Sequence, residues 1–502
     1  MSSEIIVFVG YFVCIFIFSL VFFFNGGNKT EEDYFLGGRS MGPWVTAMSA
    51  QASDMSAWLL MGLPGSILAF GFGQIWIGIG LALGTAANWI LCAKRLRQFS
   101  KAADDAITLP QYLTQRFASE KKTLQVICAI IFLIAFTVYV ASAFVAGTSV
   151  FTILFPSISE STALLAFALI IVGYTFLGGF KAVCWTDFFQ GILMLIALLA
   201  IPILVMFTQN LDTSLLQKVY TYTDASGKVV TCAFGTGLFN ASWQNIVSGL
   251  AWGLGYFGMP HIIIRFMSIE KPSMIKKSAI VAIIWVVLSL GAACLVAYYA
   301  RMLVADELLT KGLQKTVFIV MARKFFVPAI AGFLLAAIMA ASVSTADSQL
   351  LVASSSFTSD LYKPLMRKDA TDSEVLWMGR ATVVVISIIA YFIASSKGSG
   401  VQAIMDMVEN AWGIFGAAFG PVVLLSLFWR RFNYAGACAG VVAGAAVDIL
   451  WLMTMSSTGV YEILPGFIAG GVVAYVVTLM TPEPTKQVTD IFDTATAEGY
   501  DE

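Results

Sequence analysis

The chain has 502 residues and a formal net charge of −1, with 59% hydrophobic and only 12% charged residues. A soluble domain carries about 25% charged residues, so this composition excludes a soluble globular enzyme or nucleic-acid binder and points to a membrane protein. The seven cysteines are scattered without a CxxC or metal-type spacing and read as reduced, buried filler. His261 is the single histidine, which excludes a histidine-based zinc or haem centre.

Apolar runs of 18 or more residues recur along the chain, and each marks a candidate transmembrane helix. Thirteen spans are expected, at roughly 5–25, 44–69, 74–93, 123–154, 161–179, 187–208, 242–266, 276–301, 326–358, 378–396, 401–428, 434–455 and 461–480. The first lacks a basic n-region and a small-residue cleavage site and is read as a retained helix rather than a signal peptide. The third begins a basic connection, Lys94 to Lys122. With the N-terminus outside and the spans alternating, about 21 Lys/Arg fall inside and about 8 outside, as the positive-inside rule demands. An odd span count then puts the C-terminus in the cytoplasm.

The second span breaks the rules of a bilayer segment. Its middle carries Gln51, Ser53, Asp54 and Ser56, followed by Gly62, Pro64 and Gly65. A carboxylate at bilayer depth costs about 3 kcal/mol on insertion scales. Gly and Pro there free backbone groups that lipid cannot satisfy. A broken helix lining an ion or solute site is expected; a kinked structural helix with a satisfied Asp54 is the alternative.

The fourth span contributes Tyr139, and the loops 210–240 and 305–324 are expected to fold as short exterior helices or hairpins. The seventh span, Ser248 to His261, holds four glycines between Gly249 and Gly258 and then Pro260. It is a second broken helix, five spans after the first. Spans two to six and seven to eleven would then form two five-helix halves, and an odd number per half makes the repeat inverted. Trp252 and Tyr256 stand i, i+4 and share a face. With Tyr139 they would suit an aliphatic ring bearing a cationic nitrogen, although aromatics in spans more often pack or sit at the interface.

The ninth span carries Ala341, Ser344 and Thr345 at i, i+3 and i+4, on one face. Two hydroxyls there, with carbonyls freed where the second span unwinds, would cage a small hard cation. The alternative is that Ser and Thr bond back to the i−4 carbonyl. The last twenty-odd residues, 481–502, are polar and acidic and read as a disordered tail. No GxxxxGK[ST] occurs, which argues against ATP-driven transport. No acid/base or nucleophile constellation with an orienting partner occurs, which argues against an enzyme.

The strings Leu-Gly-Gly-Arg-Ser (36–40), Ser-Asp-Met-Ser-Ala-Trp-Leu-Leu-Met-Gly-Leu-Pro-Gly (53–65), Trp-Thr-Asp (185–187), Trp-Gly-Leu-Gly-Tyr-Phe-Gly-Met-Pro-His (252–261) and Tyr-Glu-Ile-Leu-Pro-Gly-Phe (461–467) resemble the sodium:solute symporter family. The resemblance covers about residues 30 to 480, and its nearest match is to bacterial sodium/proline symporters. It implies an all-α polytopic protein of about 13 transmembrane helices. The fold would be a leucine-transporter-like 5+5 inverted repeat with one extra N-terminal and two extra C-terminal helices. The implied divisions are 1–43, 44–208, 209–241, 242–428, 429–480 and 481–502. It implies sodium held by backbone oxygens of Ala52, Met55 and Ala341 and hydroxyls of Ser344 and Thr345. Asp54 would serve coupling without ligating the ion. Tyr139, Trp252, Tyr256 and Pro260 would line an L-proline pocket, with Ser56 and Gly62 near it.

By the same resemblance Arg39, Asp187 and Arg380 are charged positions at the membrane ends that matter for transport or structure. The implied function is secondary active import of L-proline with sodium in the cytoplasmic membrane of a bacterium. No cofactor, nucleic acid or obligate protein partner is implied. Another small solute of the same family (a sugar, a carboxylate, pantothenate) is the competing reading; a channel or a sensor fits less well. Asp347, one turn from Ser344, departs from the family's pattern as a second buried acid.

Overall fold

The computed structural model describes residues 3–24, 30–224, 227–397 and 401–501. Asn25, the expected end of the first span, lies outside the described residues, as do residues 225–226 of the first exterior loop and Glu502 of the tail. The described chain is almost wholly helical. In order, the helices are α1 Ser3–Phe24, α2 Glu31–Leu36, α3 Pro43–Met55, α4 Trp58–Phe70, α5 Ile75–Ala87, α6 Lys94–Ala102 and α7 Leu109–Arg116. Then come α8 Thr123–Leu154, α9 Glu160–Thr208, α10 Trp243–Ala251, α11 Pro260–Ser268, α12 Ile275–Leu303, α13 Ala305–Leu309 and α14 Val317–Phe325. The chain closes with α15 Pro328–Phe357, α16 Asp372–Lys397, α17 Val401–Phe428, α18 Tyr434–Thr454, α19 Ile463–Met480 and α20 Lys486–Thr496.

Among the described residues, ten helices are long and apolar enough to cross a membrane, or eleven if the bent pair Trp243–Phe257 and Pro260–Ser268 is one span. Thirteen is reached only by two further steps. Pro43–Phe70, two helices of 13 residues each, must count as one span, and the 49-residue α9 as two. The expected spans 161–179 and 187–208 run together in α9, but Gly179 within it takes φ 69°, ψ 178°, which breaks the helical path. Only glycine adopts that conformation without a steric penalty.

The long loop after α9 forms a hairpin, as expected. Strand β1 (Tyr220–Thr223) pairs antiparallel with β2 (Val229–Cys232), Tyr220 opposite Cys232. The loop after α12 holds the short helices α13 and α14.

Two expectations are corrected. The tail is ordered: α20 is an amphipathic helix that buries Val488 and Ala495. Phe492 meets Phe99 of α6 edge-on at 5.3 Å, and Arg430 grips Asp493 with two bonds of 2.7 Å. Arg116 of α7 donates to Val488 O at 3.1 Å, and Arg97 pairs with Asp501. The cysteines are all free, but only Cys92, Cys128, Cys184 and Cys232 are buried; Cys14 on α1 is exposed.

The core gathers around α15, whose Leu334–Ser356 stretch is buried on every side. A helix apolar or small all round belongs inside a bundle. It packs on α9, α8, α1, α16 and α3. Glycines bring α5 and α10 together at backbone distance: a β-carbon on Gly80 would stand 2.1 Å from Gly249 O, and one on Gly84 2.4 Å from Gly253 O. Small residues at such crossings allow the close approach on which membrane helix packing depends.

Candidate functional site

The site is built where two interrupted helices meet α15. The first interruption lies between α3 and α4. Ser56 takes φ 47°, ψ −174°, a backbone that an L-residue adopts only at a cost. The ordinary i to i+4 ladder is rerouted there. The Trp58 amide donates to Ser56 Oγ at 3.1 Å, and the Leu59 amide goes to Ser56 O at 3.4 Å. The carbonyls of Asp54 and Met55 therefore lose their usual helical donors. Gly62 sits one turn into α4 under Trp58, where a β-carbon would meet Trp58 Cδ1 at 2.6 Å.

The second interruption is the 3₁₀ stretch Trp252–Phe257 between α10 and α11, a bend of 42°. Pro260 is the first residue of α11, where its missing N–H costs nothing. The backbone of the bend is held by side chains from elsewhere. Asn88 Nδ2 donates to Tyr256 O at 2.9 Å, and Trp412 Nε1 to Trp252 O at 2.8 Å. Asn88 opens a π-helical turn, Asn88–Ala93, a distortion frequent at functional sites.

The face of α15 derived from helical spacing meets the first break. Ser344 Oγ lies 2.8 Å from Ala52 O and 3.2 Å from Ala341 O. Thr345 Oγ1 lies 3.0 Å from Ala341 O. Four of the five expected ion ligands thus converge, all buried. Each hydroxyl bonds back along its own helix, and Ser344 also reaches across to the first break. Met55 is the last residue of α3, beside this group at the break.

Above it lie the aromatics. Tyr256 donates its hydroxyl hydrogen to Asp54 Oδ2, which ties α3 to the bend. Trp252 stacks on Trp58 at 6.0 Å and 19°, tilts against Tyr461 at 5.1 Å and stacks on Trp412 at 6.2 Å. Trp412 meets Tyr256 edge-on at 5.1 Å. Tyr139 is buried with its ring 6.2 Å from His261. Trp412, Tyr461, Trp58 and Asn88 were not singled out from sequence. Trp412 is a lone tryptophan with no pattern around it, whereas Trp58 and Tyr461 lie inside quoted motifs.

One buried polar network was missed. Asp187 of α9 is fully buried, and its Oδ2 pairs with Arg265 Nη2 at 3.2 Å. Ser49 Oγ donates to the same oxygen at 2.7 Å and accepts from Arg265 Nε at 3.1 Å. Arg265 Nη2 also reaches Ser348 Oγ at 2.5 Å, and Ser348 Oγ lies 3.3 Å from Asp347 Oδ1. Asp347 thus belongs to the arginine's network, one helical turn beyond the hydroxyl pair. Arg39 is a further buried clamp, donating to Met267 O at 2.7 Å and Ala106 O at 2.9 Å. Arg380 Nε donates to Phe176 O at 3.2 Å.

Two interrupted spans facing a small-residue helix, with carbonyls and hydroxyls turned inward, define a multi-pass membrane transporter. The sodium:solute symporter family matches residues 34–444, and the chain belongs to that family. It is 42% identical over 472 residues to the high-affinity proline transporter PutP of Bacillus subtilis (strain 168), covering 92% of this chain and 95% of that protein. It is 40% identical over 496 residues to the sodium/proline symporter of Escherichia coli (strain K12), covering 96% and 95%.

Among solved structures it resembles the substrate-bound outward-open state of a Na+-coupled sialic acid symporter. The TM-score is 0.72 at 20% identity, over 97% of this chain and 99% of that one. It also resembles Mhp1, a nucleobase-cation-symport-1 family transporter, with a TM-score of 0.56 at 12% identity, over 93% and 99%. The fold is that of the leucine-transporter-like symporters.

Proposed function

We propose that the chain imports L-proline together with sodium by alternating access. Relatives at 40% and 42% identity over most of the chain carry proline in their names. The observation that supports the ion half most directly is the approach of Ser344 Oγ to Ala52 O across the break. An oxygen-only, uncharged ligand set suits a small hard monovalent cation. Sodium would sit among the carbonyls of Ala52, Met55 and Ala341 and the hydroxyls of Ser344 and Thr345, replacing the hydroxyl hydrogens as their partner. Sodium is cargo here, not a resident cofactor.

Proline's ring would lie against Tyr139, Trp252 and Tyr256, between the break at Ser56 and the start of α11 at Pro260, over the turn kept narrow by Gly62. Its carboxylate would meet amides at the start of a half-helix, whose positive end favours anions. Asp54 would report ion occupancy to the solute pocket through its hydrogen bond with Tyr256. Sodium braces α3 against α15, and proline then completes the contact with the α10–α11 bend, so each ligand raises the other's affinity equally. A 100 mV potential supplies about 2.3 kcal/mol per charge, and a tenfold sodium gradient adds about 1.4 kcal/mol. Together these sustain a proline gradient of several hundredfold.

The repeat halves are taken as 44–208 and 242–428, with 1–43 before them, the loop 209–241 between them and 429–480 after them. The N-terminus is placed outside and the C-terminus in the cytoplasm of a bacterial cytoplasmic membrane, on the distribution of Lys and Arg. Proline uptake into proteoliposomes with and without an imposed sodium gradient tests the function. Accumulation that needs the gradient supports it; uptake indifferent to sodium, or competed by another solute better than by proline, would overturn it.

A further inference from the structure

At the end of the bundle away from α20, three helices converge on glycines. A β-carbon on Gly466 of α19 would stand 2.7 Å from Ala417 Cβ and 3.1 Å from Asp448 Cβ, and one on Gly444 of α18 2.2 Å from Ala417 O. Helices α17, α18 and α19 therefore pack almost backbone to backbone, with Asp448 held between them. Asp448 is 2% exposed, and Glu462, at the start of α19, 6%. Among the described residues, Asp448 Oδ1 and Glu462 Oε1 have no hydrogen-bond partner. Both lean over Gly413 of α17: the place its β-carbon would occupy is 3.1 Å from Asp448 Oδ1 and 3.4 Å from Glu462 Oε1.

Glu409, one turn earlier on α17, adds a third, half-buried carboxylate. Among the described residues no lysine or arginine forms an ion pair with Asp448, Glu409 or Glu462. A cavity of about 540 Å³ opens beside Glu409 and Glu462, lined also by Asn245, Trp252, Asp406 and Tyr461 among others.

Unpaired carboxylates out of water are costly unless something neutralises them. Oxygen donors without nitrogen or sulfur select hard cations over transition metals. The neutral oxygens around Ala52 and Ser344 suit a single charge; here two buried carboxylates balance a double one. Calcium accepts six to eight oxygens in loose geometry, part of them water, and the cavity supplies the water. We propose that Asp448 and Glu462, meeting over Gly413 and completed by water from the neighbouring cavity, bind a divalent hard cation of calcium's size. The proposal does not depend on which solute the chain carries. The ion would tie the start of α19 to α17 beside Tyr461, whose hydroxyl donates to Glu409 O at 2.7 Å and whose ring packs on Trp252.

Terbium is the probe, because aromatic rings within a few ångströms sensitise its luminescence. The full-length protein in detergent is titrated with Tb³⁺ under tryptophan and tyrosine excitation, then with CaCl₂ or NaCl as competitor. Saturable luminescence displaced by calcium at concentrations where sodium has no effect supports the site. So does an affinity at least tenfold weaker in Asp448→Asn/Glu462→Gln. Glu462→Gln alone stands outside the packed helix crossing and covers the case in which the double variant does not fold; threefold or greater weakening is expected. Unchanged titrations in Glu462→Gln, or displacement by sodium as readily as by calcium, would overturn the proposal.

Discussion

Ser344 and Ala52 lie 292 positions apart, yet the hydroxyl of one is 2.8 Å from the carbonyl oxygen of the other. The contact joins α15 to the last turn of α3, just before the backbone turns at Ser56. If this oxygen pair is the heart of an ion site, removing the hydroxyls must act on sodium first. Ser344→Ala with Thr345→Ala is expected to raise the sodium concentration for half-maximal uptake at least tenfold, about 1.4 kcal/mol. The variant should still reach the membrane, because both side chains are small and Ala favours the helix. Sodium titration of initial uptake rates measures it, and an unchanged sodium requirement would remove the ion assignment.

Asp54 and Tyr256 offer a separable test. Asp54→Asn keeps the shape and leaves Tyr256 an acceptor, but removes the charge. Tyr256→Phe removes only the hydroxyl. If the pair passes ion occupancy to the solute pocket, both variants should flatten the dependence of proline affinity on sodium, the Asn variant more. Proline binding measured at low and saturating sodium gives the ratio. Loss of proline affinity with that ratio intact would mean that the pair only shapes the pocket.

Both breaks could be read from sequence because each violates what a bilayer permits. Asp54 with Ser56, and four glycines with Pro260, sit in runs otherwise long enough to span. The face of Ala341, Ser344 and Thr345 followed from helical spacing alone. Arg265 could not be read as part of a buried network, because its partner Asp187 is 78 positions away, a pairing that local pattern does not encode. The tail escaped for a different reason. Val488, Ile491, Phe492 and Ala495 repeat at helical spacing, but the charge around them outweighed the pattern, and the receiving surface is assembled from residues as distant as Phe99 and Arg116. The break in α9 rests on a single glycine, Gly179, at the end of the span expected over 161–179.

The Asp187–Arg265 pair should be strongly asymmetric to mutation. Both side chains are buried, and removing one partner of such a pair costs about 3–5 kcal/mol by stranding the other charge. Arg265→Met alone is therefore expected to lower the unfolding temperature markedly. Arg265→Met with Asp187→Leu should recover much of the loss. Thermal unfolding of the purified variants reads both. A double variant no better than the single one would show that the network, with Ser49 and Ser348, matters beyond its charge balance.

The docking of α20 should respond to salt and acid. Arg430 and Asp493 form an exposed ion pair, and the Arg430 guanidinium holds the Asp493 carboxyl below the usual range. A carboxylate with a depressed folded pKa contributes above its unfolded value, near 3.9, and the contribution disappears as pH falls through the folded one. Partial loss of protection in α20 is thus expected below about pH 4 and, separately, at high salt, where exposed pairs are screened; Asp493→Asn should show it already at neutral pH and low salt. Hydrogen exchange of residues 486–496 monitors it. Protection indifferent to both would assign the docking to Phe492 and Val488 alone.

Trp412 provides the sharpest probe of the solute side. Its indole N–H holds Trp252 O at 2.8 Å, and its ring meets both Trp252 and Tyr256. A β-carbon on Gly255 would stand 2.0 Å from Trp412 Nε1, so the bend and this indole are fitted to each other. Trp412→Phe keeps an aromatic wall but strands a buried carbonyl, a loss of about 1–3 kcal/mol. The expected result is proline binding weakened about tenfold or more, with sodium binding in the absence of proline unchanged, since the hydrogen bond and ring contacts of Trp412 run to Trp252 and Tyr256 of the bend. Parallel isotherms for the two ligands distinguish this from general unfolding, which would weaken both alike.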